Sequence, residues 1–220
     1  MIPVMVVPIL ANPDLLYRLV ASIDHEVDKL VIIDNGAGVD NRLLDDALED
    51  SPVNETWTLP MPSNLGVASS WNLGMKCTPF ASWWLICNFD VELPPNALAA
   101  FDYHMQSCTG VMLSAGAPPW CMFGITDQAV LQVGLFDERF HPGYYEDDDY
   151  AHRCHAAGVP IIPSGVFVHH ANSSTLDSGY RDRNAATFAE NQRLWLHKVD
   201  SGDLSEGGWS LRRRRDQSWD

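Results

Sequence analysis

Four consecutive acids, Glu146-Asp147-Asp148-Asp149, open a stretch with helical character, directly after Gly143-Tyr144-Tyr145. A separate acid, Asp90, follows the apolar run Trp83 to Cys87 by way of Asn88-Phe89, and a histidine pair, His169-His170, follows Val166-Phe167-Val168. Carboxylates and imidazoles hold divalent cations and move protons. Brought together, these three segments would form one metal-assisted site, and the pattern predicts an enzyme.

Each group has its own argument. A carboxylate at the end of a central strand is placed to hold a hard cation whose remaining ligands are phosphate oxygens, so Asp90 is the expected metal ligand. The acids at 146–149 suit a helix start, where the macrodipole stabilises each by roughly 0.3–1 kcal/mol. Four adjacent carboxylates also repel one another, and a cap needs only one. Asp149 and Arg153 are four residues apart and are expected to pair, which leaves Asp147 to face a cleft. On a strand, adjacent side chains point to opposite faces, so only one of His169 and His170 can face the site.

The elements that must position these residues follow an α/β pattern. Val4 to Leu10 is an apolar strand, Leu15 to Ile23 has helical spacing, and Leu30 to Ile33 is a second apolar strand ending in Asp34-Asn35-Gly36. Runs apolar on both faces predict a sheet covered on both sides, with parallel strands joined by right-handed crossovers. Further along, helices are expected at Leu43 to Leu48, Val67 to Lys76 and from Pro94-Pro95, with strands at Thr56 to Leu59, Trp83 to Cys87 and Val111 to Leu113. A strand from Cys121 to Ile125 and a helix from Gln128 to Val133 precede the helix Glu146 to Ala157, which stops at Gly158. Strands at Pro160 to Ile162 and Val166 to Val168 and an amphipathic helix Arg181 to Lys198 complete the reading.

The 220 residues fit one domain with an appendage: a core domain over 1–175, a packed helix over 176–200 and a polar, flexible tail over 201–220. With a net charge of −15 the chain lacks a broad basic footprint for nucleic acid, although Arg212 to Arg215 form a local basic cluster. A diphosphate ligand would need a bridging cation. Five cysteines with no C-x-x-C spacing predict reduced, structural thiols and a cytoplasmic setting. No apolar stretch approaches the roughly 20 residues that span a bilayer, so no transmembrane segment is expected.

Six segments occur here in the order found in family 2 glycosyltransferases: Ile33 to Gly36, Asn64 to Gly74, Asn88 to Leu98, Gly134 to Phe140, Glu146 to Arg153, and Val168-His169. The chain resembles that family, in particular its rhamnosyltransferase-like branch, from about Val4 to Ser174. The resemblance implies a GT-A fold, that is, an α/β, Rossmann-like, mostly parallel central sheet with helices on both faces. It also implies a nucleotide-diphosphate sugar donor, a divalent cation (Mn2+ or Mg2+) and inversion at the anomeric carbon. On this resemblance Asp147 is the catalytic base with Glu146 beside it, Asp90 and His169 hold the metal, and His170 is the alternative to His169. Pro8, Asp34, Asn35, Asn64, Gly66, Trp71, Asn72 and Asn88 fall at nucleotide-sugar contacts. Apart from the resemblance, Trp120, following Pro118-Pro119 in an expected loop, is the acceptor-side aromatic, and Asp149 is also expected on the acceptor side. Two departures stand out: Asn88 replaces the first acid of the family's Asp-x-Asp, and Trp71 stands where a basic residue is common.

Two other classes fit less well. A nucleotidyltransferase would carry a glycine-rich phosphate loop with a basic residue after the first strand, and Pro8-Ile9-Leu10-Ala11-Asn12 is not one. A sugar-nucleotide-binding protein without glycosyl transfer would not need Asp90, Asp147 and His169 together. The acceptor (a glycan, a lipid-linked sugar, a protein or a modified nucleobase) and the oligomeric state are not legible in the chain.

Overall fold

The computed structural model describes residues 1–171 and 181–206, without side chains for 181–186. Its main sheet has seven strands in the order β3-β2-β1-β4-β7-β6-β8. These are Ile2–Ile9 (β1), Val27–Asp34 (β2), Val53–Pro60 (β3), Trp83–Cys87 (β4), Val111–Leu113 (β6), Met122–Thr126 (β7) and Ile161–Pro163 (β8). All are parallel except β7, which runs antiparallel to both β4 and β6. A separate two-stranded sheet pairs Val91–Glu92 (β5) antiparallel with His169–His170 (β9).

The doubly apolar strands are buried on both faces. Met5, Val7 and Ile9 of β1 join one core with Leu16, Leu19 and Val20 of helix α1 (Pro13–Ala21), Leu44 of α2 (Asn41–Leu48) and Phe101 of α4 (Ala97–Met105). Val4 and Val6 face a second core with Trp71 and Met75 of α3 (Val67–Cys77), Val130 of α5 (Asp127–Val133) and Tyr150 and Cys154 of α6 (Glu146–Ala157). Each fully buried large aliphatic side chain is worth roughly 1.5–3 kcal/mol, which fixes the register of the sheet. A last helix, α7, runs Arg181–Ser201.

Several expected elements differ in the structure. The helix expected from Pro94-Pro95 begins at Ala97, because Asn96 takes a left-handed conformation (φ 64°) that a right-handed helix cannot include, so Pro94 and Pro95 stay outside it. The strand expected at Val166 to Val168 is replaced by the two-residue β9, whose partner β5 had no sequence signal of its own. Residues 201–206, expected in a flexible tail, are tied to the body: Glu206 Oε2 accepts from the Leu135 amide at 2.7 Å and Asp203 meets Arg139 at 3.3 Å. The expected boundary at residue 175, residues 207–220 and the Arg212 to Arg215 cluster lie outside the described residues. All five cysteines are free, and burial pushes the Cys154 thiol up to about 12. Among the described residues no helix is long and apolar enough to cross a membrane.

Candidate active site

The carboxyl ends of β1, β2 and β4 lie along one edge of the sheet, where α/β proteins gather their ligands. The chain leaves β4 through Asn88, whose amide donates to the Cys121 carbonyl at 2.8 Å, and reaches Asp90, which is 8% exposed. There His170 Nε2 lies 3.0 Å from Asp90 Oδ1 and 3.4 Å from Asn88 Nδ2. His169, the residue favoured on the resemblance, is instead exposed with its ring edge-on to Phe167 at 4.8 Å. The reason is strand parity. Val166 and Val168 turn into the core, so His170 shares their side and His169 does not.

Among the described residues no three His, Cys, Asp or Glu side chains close into a metal cluster. The donor set still fits a divalent ion of the Mg2+ or Mn2+ kind, which takes one or two protein groups and completes its shell with phosphate oxygens. Asp90 supplies a buried carboxylate and His170 an imidazole nitrogen within 3.0 Å of it.

The acids of α6 reach the same edge by another route. Helix α3 starts just beyond the carboxyl end of β3, and its Val67 amide donates to the Pro142 carbonyl at 2.7 Å, which ties the start of α3 to the loop leading into α6. Gly66 has φ +81°, and a Cβ there would come within 2.9 Å of the Pro142 carbonyl oxygen, so this junction requires glycine. Glu146 is buried, with Oε2 free of any hydrogen-bond partner, and burial followed by the neighbouring Asp147 pushes its carboxyl up to about 8. Asp147 is half-buried, and burial first, then Asp148, raises it above the usual carboxylate range. The expected repulsion among neighbours is therefore real but secondary to desolvation.

Asp149, expected on the acceptor side, is instead turned into the interior. It is fully buried, 2.8 Å from Arg153 Nε and 2.6 Å from Lys198 Nζ of α7. Lys198, 1% exposed at its side chain, also donates to Asp137 Oδ2 at 2.6 Å and to the Ser205 carbonyl at 2.8 Å. Burial would raise Asp137, but Arg139 and Lys198 beside it hold its carboxyl below the ordinary value. The expected pairing of Asp149 with Arg153 is present, as part of a larger buried ionic group.

The residues assigned to the nucleotide-sugar divide into loop builders and core. Asp34 accepts from the amides of Gly36, Ala37, Gly38 and Val39, which shapes the loop after β2. Asn35 donates to Ser70 Oγ and accepts from the Leu65 amide, and Asn64 accepts from the Gly66 amide. Pro8 sits near the end of β1, opposite Ile33. Asn72 bonds within the fold: it donates to the Phe136 carbonyl and Glu138 and accepts from the Phe136 amide, all at 2.8–2.9 Å. Trp71 is core, 3% exposed and packed edge-on against Phe123 and Phe136. A large indole on the inner face of α3 gains more from that burial than from an exposed stacking role. Trp120 is half-buried against Phe123 at 4.8 Å, in the 3-10 turn whose Cys121 carbonyl holds Asn88.

Sequence reasoning did not find Asn191 or Lys198. Both are buried polar residues on α7, and both bond to segments that flank the α6 acids. The signal was their seven-residue spacing, which puts them on one face of the helix.

No family model matches the chain. Over 95 residues it is 36% identical to a galactofuranosyl glycosyltransferase of Leishmania donovani, a match covering 42% of this chain and 21% of that protein. Among solved structures it is similar to a mannosyltransferase from Pyrobaculum calidifontis in complex with GDP-Man and Mn2+ (TM-score 0.66, 14% identity, 88% of this chain and 64% of that one). It is also similar to glucosyl-3-phosphoglycerate synthase from Mycobacterium tuberculosis in complex with Mn2+, UDP and glucosyl-3-phosphoglycerate (TM-score 0.59, 15% identity, 86% of this chain and 79% of that one). The chain thus spans about a fifth of the length of the curated relative. With its mostly parallel sheet flanked by helices, it has the GT-A fold.

Proposed function

We propose that the chain is a metal-dependent, inverting glycosyltransferase of the family 2, rhamnosyltransferase-like kind, which moves a sugar from a nucleoside diphosphate to an acceptor hydroxyl. The observation that carries this reading is the Asp90–His170 pair, buried at the carboxyl end of β4 on a GT-A sheet. Asp90 and His170 would hold the cation together with donor phosphate oxygens. When bound, the cation would neutralise charge on the departing diphosphate. The similar structures, complexes with Mn2+ and GDP-Man or UDP, support the same reading.

The two acids at the head of α6 divide the proton work. Glu146, at about 8, is protonated at neutral pH, so the pair need not carry two charges. Asp147, more exposed and raised above the ordinary carboxylate value, is the base. It takes the acceptor hydroxyl's proton as that oxygen bonds to the anomeric carbon, while the bond from that carbon to the diphosphate oxygen breaks and its electron pair leaves with the diphosphate. Attack on the face opposite the leaving group inverts the anomeric centre. The α6 N-terminus adds favourable potential for the ionised base.

Thermal denaturation with a panel of sugar nucleotides and Mn2+, with and without chelator, tests this function. A true donor at about 100 times its Kd adds about 2.7 kcal/mol of stability, and chelation should remove that gain. Stabilisation by no member of the panel, or equal stabilisation with chelator, contradicts the reading.

A further inference from the structure

The segment that delivers Glu146 and Asp147 has a strained backbone. Tyr144 and Tyr145 have φ values of 77° and 71°, in the left-handed region that bulky side chains avoid. Such strain persists only where the surroundings over-determine it. Here those surroundings come largely from α7. Asn191, 4% exposed, donates from Nδ2 to the Gly143 carbonyl at 2.8 Å, with the His141 and Tyr144 carbonyls each at 3.4 Å. Phe188, one turn earlier, lies 5.3 Å from the Tyr144 ring and 5.1 Å from the Tyr145 ring. Two turns after Asn191, Lys198 grips Asp149 at 2.6 Å from the far side of the acids.

We propose that Asn191 and Lys198 are positioning residues for the chemistry of α6: α7 holds the loop on one side of Glu146 and Asp147 and the helix on the other. The spacing supports this. Seven residues of helix span about 10 Å, which lets one face of α7 bracket the segment from the Gly143 carbonyl to the Asp149 carboxylate. Neither residue touches the reacting atoms in this account. The catalytic part of the inference rests on the proposed function, whereas the clamp itself is a property of the fold.

Asn191→Ala and Lys198→Met in the full chain test the proposal by hydrogen exchange and by steady-state release of nucleoside diphosphate. The substrate is whichever sugar nucleotide gives the largest Mn2+-dependent stabilisation. In Asn191→Ala the amides of residues 143–149 should exchange roughly tenfold faster while those of β1 and β2 do not change. The turnover number should fall roughly tenfold or more with KM nearly constant, as expected when alignment rather than binding is lost. Lys198→Met should add faster exchange at the first turn of α6. If either variant loosens β1 and β2 as well, Phe188→Ala, which leaves both polar clamps in place, should still speed exchange at Tyr144 to Glu146. Unchanged exchange at 143–149 in Asn191→Ala, or faster exchange there with unchanged turnover, overturns the inference. Absence of nucleoside diphosphate release by the wild-type chain overturns the functional reading instead.

Discussion

His170 Nε2 lies 3.0 Å from Asp90 Oδ1, joining the end of a two-residue strand to the turn after β4. If these two hold the cation, His170→Ala should weaken Mn2+-dependent binding of a nucleoside diphosphate at least roughly tenfold, about 1.4 kcal/mol. His169→Ala, at an exposed ring, should leave binding unchanged. Titration calorimetry of both variants decides the point, and the reverse ranking would move the site to His169.

Glu146 gives a pH dependence with a defined sign. Its folded value of about 8 is above its ordinary 4.5, so between these values the folded state keeps a proton that the unfolded state has lost. This group's contribution is therefore most favourable below 4.5 and falls as pH rises to about 8. The total is on the order of a few kcal/mol. Glu146→Gln should flatten this part of the profile and be more stable than wild type above pH 8. Urea midpoints across the range check it, and parallel profiles for the two proteins would contradict it.

Asp147→Asn should keep donor binding and lose transfer, since an amide preserves shape but cannot accept the proton. Removal of a general base costs roughly 10²–10⁴ in rate. Stability should hold or rise, because the substitution relieves a carboxylate raised by burial and by Asp148. Turnover and melting temperature, measured together, test this. Near-normal transfer by the variant would remove Asp147 from the role.

Lys198→Met should destabilise the fold by about 3 kcal/mol, because it strips a buried cation from Asp137 and Asp149 together. Arg42→Ala removes a solvent-exposed partner of Asp40 and should leave the urea midpoint where it is. Equal effects from the two substitutions would mean that the buried group contributes no more than a surface pair.

The parts of this molecule that were legible in the sequence are those where local pattern and tertiary demand agree. The doubly apolar runs around Val6, Val31 and Leu85 could only be buried strands, and helix α6 ends at Gly158, whose φ of +70° suits glycine. The i,i+4 spacing likewise gave the Asp149–Arg153 pair. What failed depended on partners distant in sequence. His170 faces Asp90 because Val166 and Val168 set the parity, a signal present in the sequence but outweighed by the family pattern. Asn72 falls at a donor contact on the resemblance alone, yet it holds the Phe136 backbone, 64 residues away. Lys198 looked like the polar side of an amphipathic helix, and only the fold brings Asp137 and Asp149 to it.

The most direct measurement of the central claim is product analysis after incubating the chain with sugar nucleotides and Mn2+, alongside a chelated control and Asp90→Ala. The account predicts release of nucleoside diphosphate, with the sugar passed to an added acceptor or to water. That release should be abolished by chelator and by Asp90→Ala. Release of nucleoside monophosphate or pyrophosphate in place of the diphosphate, or diphosphate release that persists in the chelated control and in Asp90→Ala, would contradict it.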